Sequence, residues 1–400
     1  MTDLATAELP LSGLRVVEFT HMVMGPVVGA ILAELGAEVI KVEPMGGDAT
    51  RELVGSGAGY FPMYNRNKKS MCLNLKEPRG LEIARSLVAN ADILVENFRA
   101  GAMERLGIGY DSLAELNPRL IYCSEKGFLS GPYESRTALD EVAQMMGGLA
   151  YMTGPPGRPL RAGASVIDVT GGMFGVIGIL AAVEQRHRTG LGQKVTSALY
   201  ETTVYLVGQH MAQKAVTGKA AQPMPVRISA WAIYDVFETR DGERVFLGVV
   251  SDLQWLNFCK AMELDDLAAD ERYLTNAMRV AAREQLLPIV RDVLLKFDSR
   301  QLLQLFEQVG LPFAPIRRPE DLFDDPHLLA SGGLGELELA NGIRTALPIL
   351  PLEMAGRRPT QGGALPRAGE HSESILGALG FTAEETEQLL VAGVVGREAQ

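Results

Sequence analysis

Apolar positions in the first 200 residues fall in short unbroken runs separated by stretches of helix length. Leu14 to Phe19 and Ala37 to Val42 are runs of strand length, and Pro26 to Leu35, with proline in its first turn, has helical content. The pattern repeats as a helix over Pro78 to Asn90, a strand at Ile93 to Val95, a helix near Ala102 to Leu106 and a strand at Leu120 to Cys123. A Gly/Pro-rich loop, Thr153 to Gly163, then leads to a predicted strand at Ser165 to Ile167, a long helix from Thr170 to about His187 and a strand at Lys194 to Leu199. Strands without polar alternation, interleaved with helices, predict an α/β fold: a doubly wound parallel sheet with helices on both faces.

A polar, proline-containing stretch from Thr217 to Pro225 breaks the pattern. Beyond it, Tyr234 to Phe237 and Val245 to Val250 flank an Asp241-Gly242 turn, the signal of a hairpin, and helical segments follow at Leu253 to Met262, Arg279 to Lys296 and Ser299 to Val309. The expected organisation is a large domain over residues 1–200 and a smaller α+β domain over 225–325, with linkers at 201–224 and 326–334. A Gly/Pro-rich stretch, Pro351 to Gly369, precedes a closing helix pair at Glu373 to Leu379 and Thr382 to Val391.

Composition narrows the function classes. With 47% hydrophobic and 22% charged residues the chain is an ordinary globular one, and a net charge of −11 repels phosphate backbones and anionic lipid, so neither nucleic acid nor membrane is an expected partner. Cys72, Cys123 and Cys259 are odd in number and far apart, which fits neither a disulfide framework nor a zinc site and points to a reducing, cytoplasmic setting. Residues 1–8 lack a basic region followed by an apolar core, and the most apolar stretch, Gly171 to Val183, reads as a buried helix too short to span a bilayer.

Candidate chemistry is sparse. The turn Met22 to Pro26 joins strand to helix and offers backbone N–H groups to an anion, or is simply a connection. Glu43 stands where a ribose-binding acid would, but Gly25 is followed by Pro26, Val27, Val28 and Gly29, so the dinucleotide fingerprint is missing, and no P-loop occurs. Arg66, Lys68, Lys69, Lys76 and Arg79 face a single acid, Glu77, and form either an anion site or a solvated loop. Asn97-Phe98, Arg105 and Lys126-Gly127 fall where open α/β sheets bind ligands. Asp168, just before Thr170, Gly171 and Gly172, is expected to be held ionised by the helix N-terminus, as nucleophile or as a helix-terminal acid; Asp140 and Glu141 read as first-turn acids. His21, His187, His210, His327 and His371 form no zinc-binding pair, no serine-hydrolase elbow exists, and no metal is expected.

Leu11 to Phe19, Met24-Gly25-Pro26, Leu35 to Glu43, Gly47-Asp48 with Arg51, Asn67 to Ser70, Val95 to Phe98, Asn117-Pro118, Thr189-Gly190 and Gly192-Gln193 together resemble the family III CoA-transferases, the CaiB/BaiF group, in the family's order from about residue 11 to 396. The resemblance implies a Rossmann-like large domain completed by residues 335–400, a smaller domain, and a homodimer of two interlocked chains. It implies no cofactor beyond coenzyme A itself, carried on an acyl-CoA thioester that shares the site with a carboxylic acid. It makes Asp168 the nucleophile, at the Asp of a D-x-x-x-G segment, and lets Asp140 assist. Val23, Leu73, Lys76, Asn97, Phe98, Arg105 and Lys126 match or adjoin positions lining the CoA groove. Val23 stands where formyl-CoA:oxalate enzymes have Gln, and their glycine-rich lid is absent around Arg227 to Ala232, which speaks against oxalate or formate as the acid. The implied reaction moves CoA from an acyl-CoA to a small dicarboxylic or hydroxy acid through an aspartyl anhydride and an aspartyl-CoA thioester. Arg161 or Arg227, if it faces Asp168, would favour a dicarboxylate. Two alternatives stay open: an α-methylacyl-CoA racemase, whose G-H-D is Ala138-Leu139-Asp140 here, and a non-catalytic CoA-binding scaffold.

Overall fold

The structure is a computed structural model that describes residues 9–227, 229–359 and 363–397. The N-terminal stretch read above for a leader, and the outer ends of the expected large domain, lie outside the described residues.

Six parallel strands form the main sheet: β1 (Arg15–Phe19), β2 (Glu38–Glu43), β3 (Lys69–Leu73), β4 (Ile93–Glu96), β5 (Ile121–Lys126) and β6 (Lys194–Ala198), in the order β3-β2-β1-β4-β5-β6. A two-residue strand, Val395–Gly396, adds antiparallel to β3 and brings the end of the chain back to the sheet edge. The central strands are buried on both faces, which is why they read as unbroken apolar runs. One face packs on the helix Pro78–Ala89 and the C-terminal helices through Ile83, Leu87, Ile375 and Leu389. The other packs on the helices Met24–Glu34 and Val166–Thr189 through Val28, Leu32, Val176 and Ile179. Consecutive strands step outward in one direction from β1 to β3 and in the other from β4 to β6, so the strand order reverses between β1 and β4, where open α/β sheets leave a crevice at their carboxyl ends.

Close approach of two helices fixes that crevice. A Cβ on Gly172 would stand 2.7 Å from the Met24 carbonyl oxygen and 2.9 Å from Val27, and one on Gly175 would collide with the Glu125 carboxylate. Glycine is therefore required at both positions for the Val166–Thr189 helix to lie against the Met24–Glu34 helix and β5.

Several expectations are corrected. Ser165 to Ile167 is not a strand: the long helix begins at Val166, because a carboxylate from elsewhere caps its first turn. That helix has 24 residues, long and apolar enough to cross a membrane, and is only partly buried, with Met173 and Ile177 exposed. The 201–224 stretch is not a linker but mostly the helix Leu199–Thr217, ended by Gly218 at φ 71°. It buries Leu199, Thr203 and Val207 while leaving Tyr205, Met211 and Val216 exposed, so no one-sided apolar stripe marks it. Residues 326–334 hold a short helix, Pro326–Ala330, and the hairpin Leu334–Glu338 with Arg344–Pro348 follows.

Contacts divide the chain into Met1–Pro225 with Pro326–Gln400, and Val226–Asp325. The second unit has a three-stranded antiparallel sheet, β7 (Tyr234–Glu238), β8 (Arg244–Gly248) and β9 (Phe313–Pro315), covered by helices that bury Trp255, Phe258, Leu286, Val290 and Phe306. The expected Arg279 to Lys296 helix is broken at Ala282 into Asn276–Ala281 and Arg283–Leu294.

Candidate active site

At the carboxyl end of the sheet a cavity of about 550 Å³ is lined by Asp168, Asp140, Asn97, Phe98, Arg105, Lys126 and Arg161, with His21, Met22, Met24 and Glu125 among the other walls. The structure thus brings together most of the residues singled out in the sequence. It leaves out three. Val23 is buried beneath the turn that carries Met22 and Met24, Leu73 is part of the core behind the sheet, and Lys76 is exposed beyond the end of β3. Arg227 belongs to the second unit.

The turn from β1 into the Met24–Glu34 helix is held from below by buried lysines. Lys41 donates to the Thr20 carbonyl at 2.8 Å and pairs with Asp48 at 3.0 Å; Lys68 donates to the Pro26 carbonyl at 2.9 Å and pairs with Glu18 at 2.8 Å. From the side, Asn97 accepts from the His21 backbone N–H at 3.0 Å and donates to its carbonyl at 2.8 Å. Met22, at φ 62°, is locked by its N–H bond to Thr50. Pro26 has no N–H, so Met24 and Gly25 carry the donors at this helix end.

These pairings overturn the reading of Arg66 to Arg79 as an anion site. Arg66 pairs with Glu34, Lys68 with Glu18, Lys69 with Glu38 and Arg79 with Glu82. For Arg66, Lys68 and Lys69 the acids lie on neighbouring strands and helices, remote in sequence, whereas Glu82 is one turn beyond Arg79 on the same helix. On the groove's other wall Lys126 is likewise tied, to Glu96 at 2.7 Å and the Phe98 carbonyl at 2.7 Å, while Arg105 is exposed.

Asp140 is the cap of the long helix. Its Oδ2 accepts the N–H groups of Ile167 at 2.8 Å and Asp168 at 3.2 Å, and its Oδ1 accepts from Gln144 at 2.5 Å. Gln144 in turn accepts the Ala162 N–H at 2.9 Å and pins the loop that carries Arg161. With the helix N-terminus occupied by Asp140, Asp168 is not held ionised as expected: burial and then the Asp140 charge push its carboxyl up to about 7, against a downward pull from Arg161. Among the described residues none donates a hydrogen bond to the Asp168 carboxylate, so a half-buried anion there is poorly solvated and reactive. It also raises the phenol of Tyr64, after the larger effect of burial.

Glu125 was not singled out from the sequence. It sits on β5 with one oxygen 3.2 Å from Cys123 Sγ and the other without a hydrogen-bond partner, and burial pushes it up to about 8. An acid inside a strand whose neighbours, Ile121 to Cys123, read as buried was the available signal. Leu139 lines the cavity, and Asp140 beside it is committed to the helix. Among the described residues no group of three or more His, Cys, Asp or Glu is gathered to hold a metal.

The family model of CoA-transferase family III matches residues 11–372. A succinate–glutarate CoA-transferase of Agrobacterium fabrum is 35% identical over 401 residues, covering 95% of this chain and 98% of that protein. A succinyl-CoA:mesaconate CoA-transferase of Haloarcula marismortui is 37% identical over 387 residues, covering 92% of this chain and 96% of its own length. The crystal structure of a CaiB/BaiF family protein from Brucella suis superposes with a TM-score of 0.82 at 32% identity, covering 93% of this chain and all of that one, 100%.

Proposed function

The chain belongs to CoA-transferase family III and is a CoA-transferase, and from that premise we propose that it moves CoA from an acyl-CoA such as succinyl-CoA to a small dicarboxylic acid, with Asp168 as the carrier. The relatives named for glutarate and mesaconate support the class of acid. The observation that carries the mechanism is a half-buried carboxylate, without a hydrogen-bond donor among the described residues, in a cavity that Met24 also lines.

An Asp168 oxygen attacks the thioester carbonyl carbon, the C–S bond breaks, and CoA leaves as thiolate with the electron pair. The thiolate then attacks the Asp168 carbonyl of the resulting anhydride; the C–O bond breaks, releasing the first acid and leaving an aspartyl-CoA thioester. A second carboxylate reverses both steps and restores Asp168. One thioester replaces another and no proton is consumed, so no ATP, metal or further cofactor is needed. The backbone N–H groups of the Val23 to Gly25 turn, of which Met24 lines the cavity, or those near Gly171, are assigned to the oxyanions. The order β3-β2-β1-β4-β5-β6 supports the Rossmann-like reading, with the CoA moiety along Asn97, Phe98 and Arg105 at the switch point.

Incubation with succinyl-CoA followed by borohydride or hydroxylamine and mass spectrometry is expected to locate modification on Asp168, absent from Asp168→Ala. An unmodified Asp168 in protein that exchanges an α-deuterium of an acyl-CoA would replace this mechanism by that of a racemase; CoA binding with neither outcome would leave a scaffold.

The proposal includes a homodimer of interlocked chains in a reducing cytoplasm. Exposed Met173, Ile177, Tyr205 and Met211 on two long helices support an apolar contact surface, and the three buried, unpaired cysteines support the compartment. Light scattering is expected to give twice the chain mass of 43.2 kDa, and a monomer at micromolar concentration would refute the dimer.

A further inference from the structure

Five cations line the cavity: Arg99, Arg105, Lys126, Arg136 and Arg161. Three of these have an evident occupation. Lys126 is held by Glu96 and the Phe98 carbonyl, Arg136 lies 4.9 Å from the centre of the Tyr133 ring, and Arg105 stands on the wall assigned above to CoA. Arg99 adjoins Phe98 on that same wall.

Arg161 differs. Its Nε donates to the Ala162 carbonyl at 3.1 Å, while its two terminal nitrogens form ion pairs with Asp140 Oδ1 and Glu141 Oε1, each at 3.4 Å, without the geometry of a hydrogen bond. Four of its five N–H donors are therefore unspent. Neither acid needs them. Asp140 already accepts from Ile167, Asp168 and Gln144, and Glu141 is 58% exposed at its side chain, in contact with water. The side chain is 32% exposed and lines the cavity, and its charge is felt at Asp168.

We propose that Arg161 is the specificity-determining residue for the acid substrate: its open fork takes the distal carboxylate of a short dicarboxylic acid while the near carboxyl carbon meets Asp168. A planar fork of paired donors fits a carboxylate in bidentate fashion, which a lysine or a neutral side chain does not reproduce. Only the Asp140 carboxylate separates the guanidinium from the Asp168 backbone. A four- or five-carbon diacid, with carboxyl carbons about 4–5 Å apart when extended, is of the length to reach from one to the other. A monocarboxylate of equal length leaves the fork unpaired, and a site built to hydrogen-bond a group discriminates strongly against the analogue that lacks it. The inference rests on the transferase reading above and assigns the end of the substrate that does not react.

The test compares glutarate with pentanoate as acceptors from succinyl-CoA, for wild type, Arg161→Gln and Arg161→Lys. Assays are run near pH 9, above the value of about 7 to which the Asp168 carboxyl is pushed, to leave room for the rise that follows loss of the nearby cation. The wild-type ratio of kcat/KM for the diacid over the monoacid is expected to be about 100 and to fall to within a few-fold of one in Arg161→Gln, chiefly through KM, with Arg161→Lys between them. A ratio unchanged in Arg161→Gln, with both acids losing equally, would overturn the assignment and leave the transferase intact. If the wild type transfers CoA to neither acid, the proposed class of acid fails and the assignment with it, while the CoA-transferase stands.

Discussion

Asp168→Asn is expected to lower the CoA-transfer rate by about 10⁴-fold or more, since removing a nucleophile leaves only binding and oxyanion stabilisation. Asparagine keeps the size of the side chain and leaves the Asp140 cap in place, so the loss isolates the carboxylate. The wild-type pH profile carries a matching signature. With burial and Asp140 pushing the Asp168 carboxyl up to about 7, kcat/KM is expected to rise tenfold per pH unit below that value and to level off above it. Arg161→Gln removes the downward pull and moves the midpoint up, while Asp140→Asn removes an upward one and moves it down. Initial rates from about pH 5 to about pH 9 check the three profiles together. A profile flat across that range, or an Asp168→Asn rate within tenfold of wild type, would remove Asp168 from the chemistry.

The parts of this site legible in the sequence are those decided by neighbours along the chain. β1, the helix after it and β2 are readable because strands buried on both faces are continuous apolar runs and Pro26 marks a helix start. Asp168, Asn97, Phe98, Arg105 and Lys126 are readable as ends of such elements. What fails depends on groups far off in sequence. Lys68 and Lys69 hide β3 inside an apparently basic loop because Glu18 and Glu38, which neutralise them, come from other strands. The long helix is misread at its start because its cap, Asp140, is supplied by another helix. The same omission misjudges Asp168: a dipole argument applied to one residue holds it ionised, but once Asp140 takes the helix N–H groups, Asp168 faces desolvation and a like charge instead. Leu73 and Val23, assigned to the CoA groove by resemblance alone, are buried.

Glu125→Gln is expected to stabilise the protein above about pH 8 by roughly 2–4 kcal/mol and to destabilise it by about 1–3 kcal/mol below about pH 5, where only the cost of the unpartnered amide remains. Burial pushes the Glu125 carboxyl up to about 8, and the Glu96 charge adds to this, against the Cys123 contact and the Lys126 charge. In the unfolded chain it titrates near its ordinary value of 4.5. Below that value both states hold the proton. Between the two values the unfolded chain releases it and the folded one does not, so stability falls as pH rises and the loss is complete above the folded value. At 1.36 kcal/mol per pKa unit the whole loss is on the order of 5 kcal/mol. Glutamine abolishes that dependence but places an amide where Glu125 Oε2 has no hydrogen-bond partner, which returns about 1–3 kcal/mol of it. Urea unfolding of both proteins near pH 5 and near pH 9 measures the difference directly, and an equal difference at the two pH values would contradict the assignment of the strain to ionisation. Asp168 obeys the same sign, its carboxyl being raised to about 7, so Asp168→Asn gains stability above neutral pH in the variant that loses turnover. Two poorly solvated acids along one helix, one at its first turn and one against Gly175, thus oppose folding once ionised, and only the first is the proposed nucleophile.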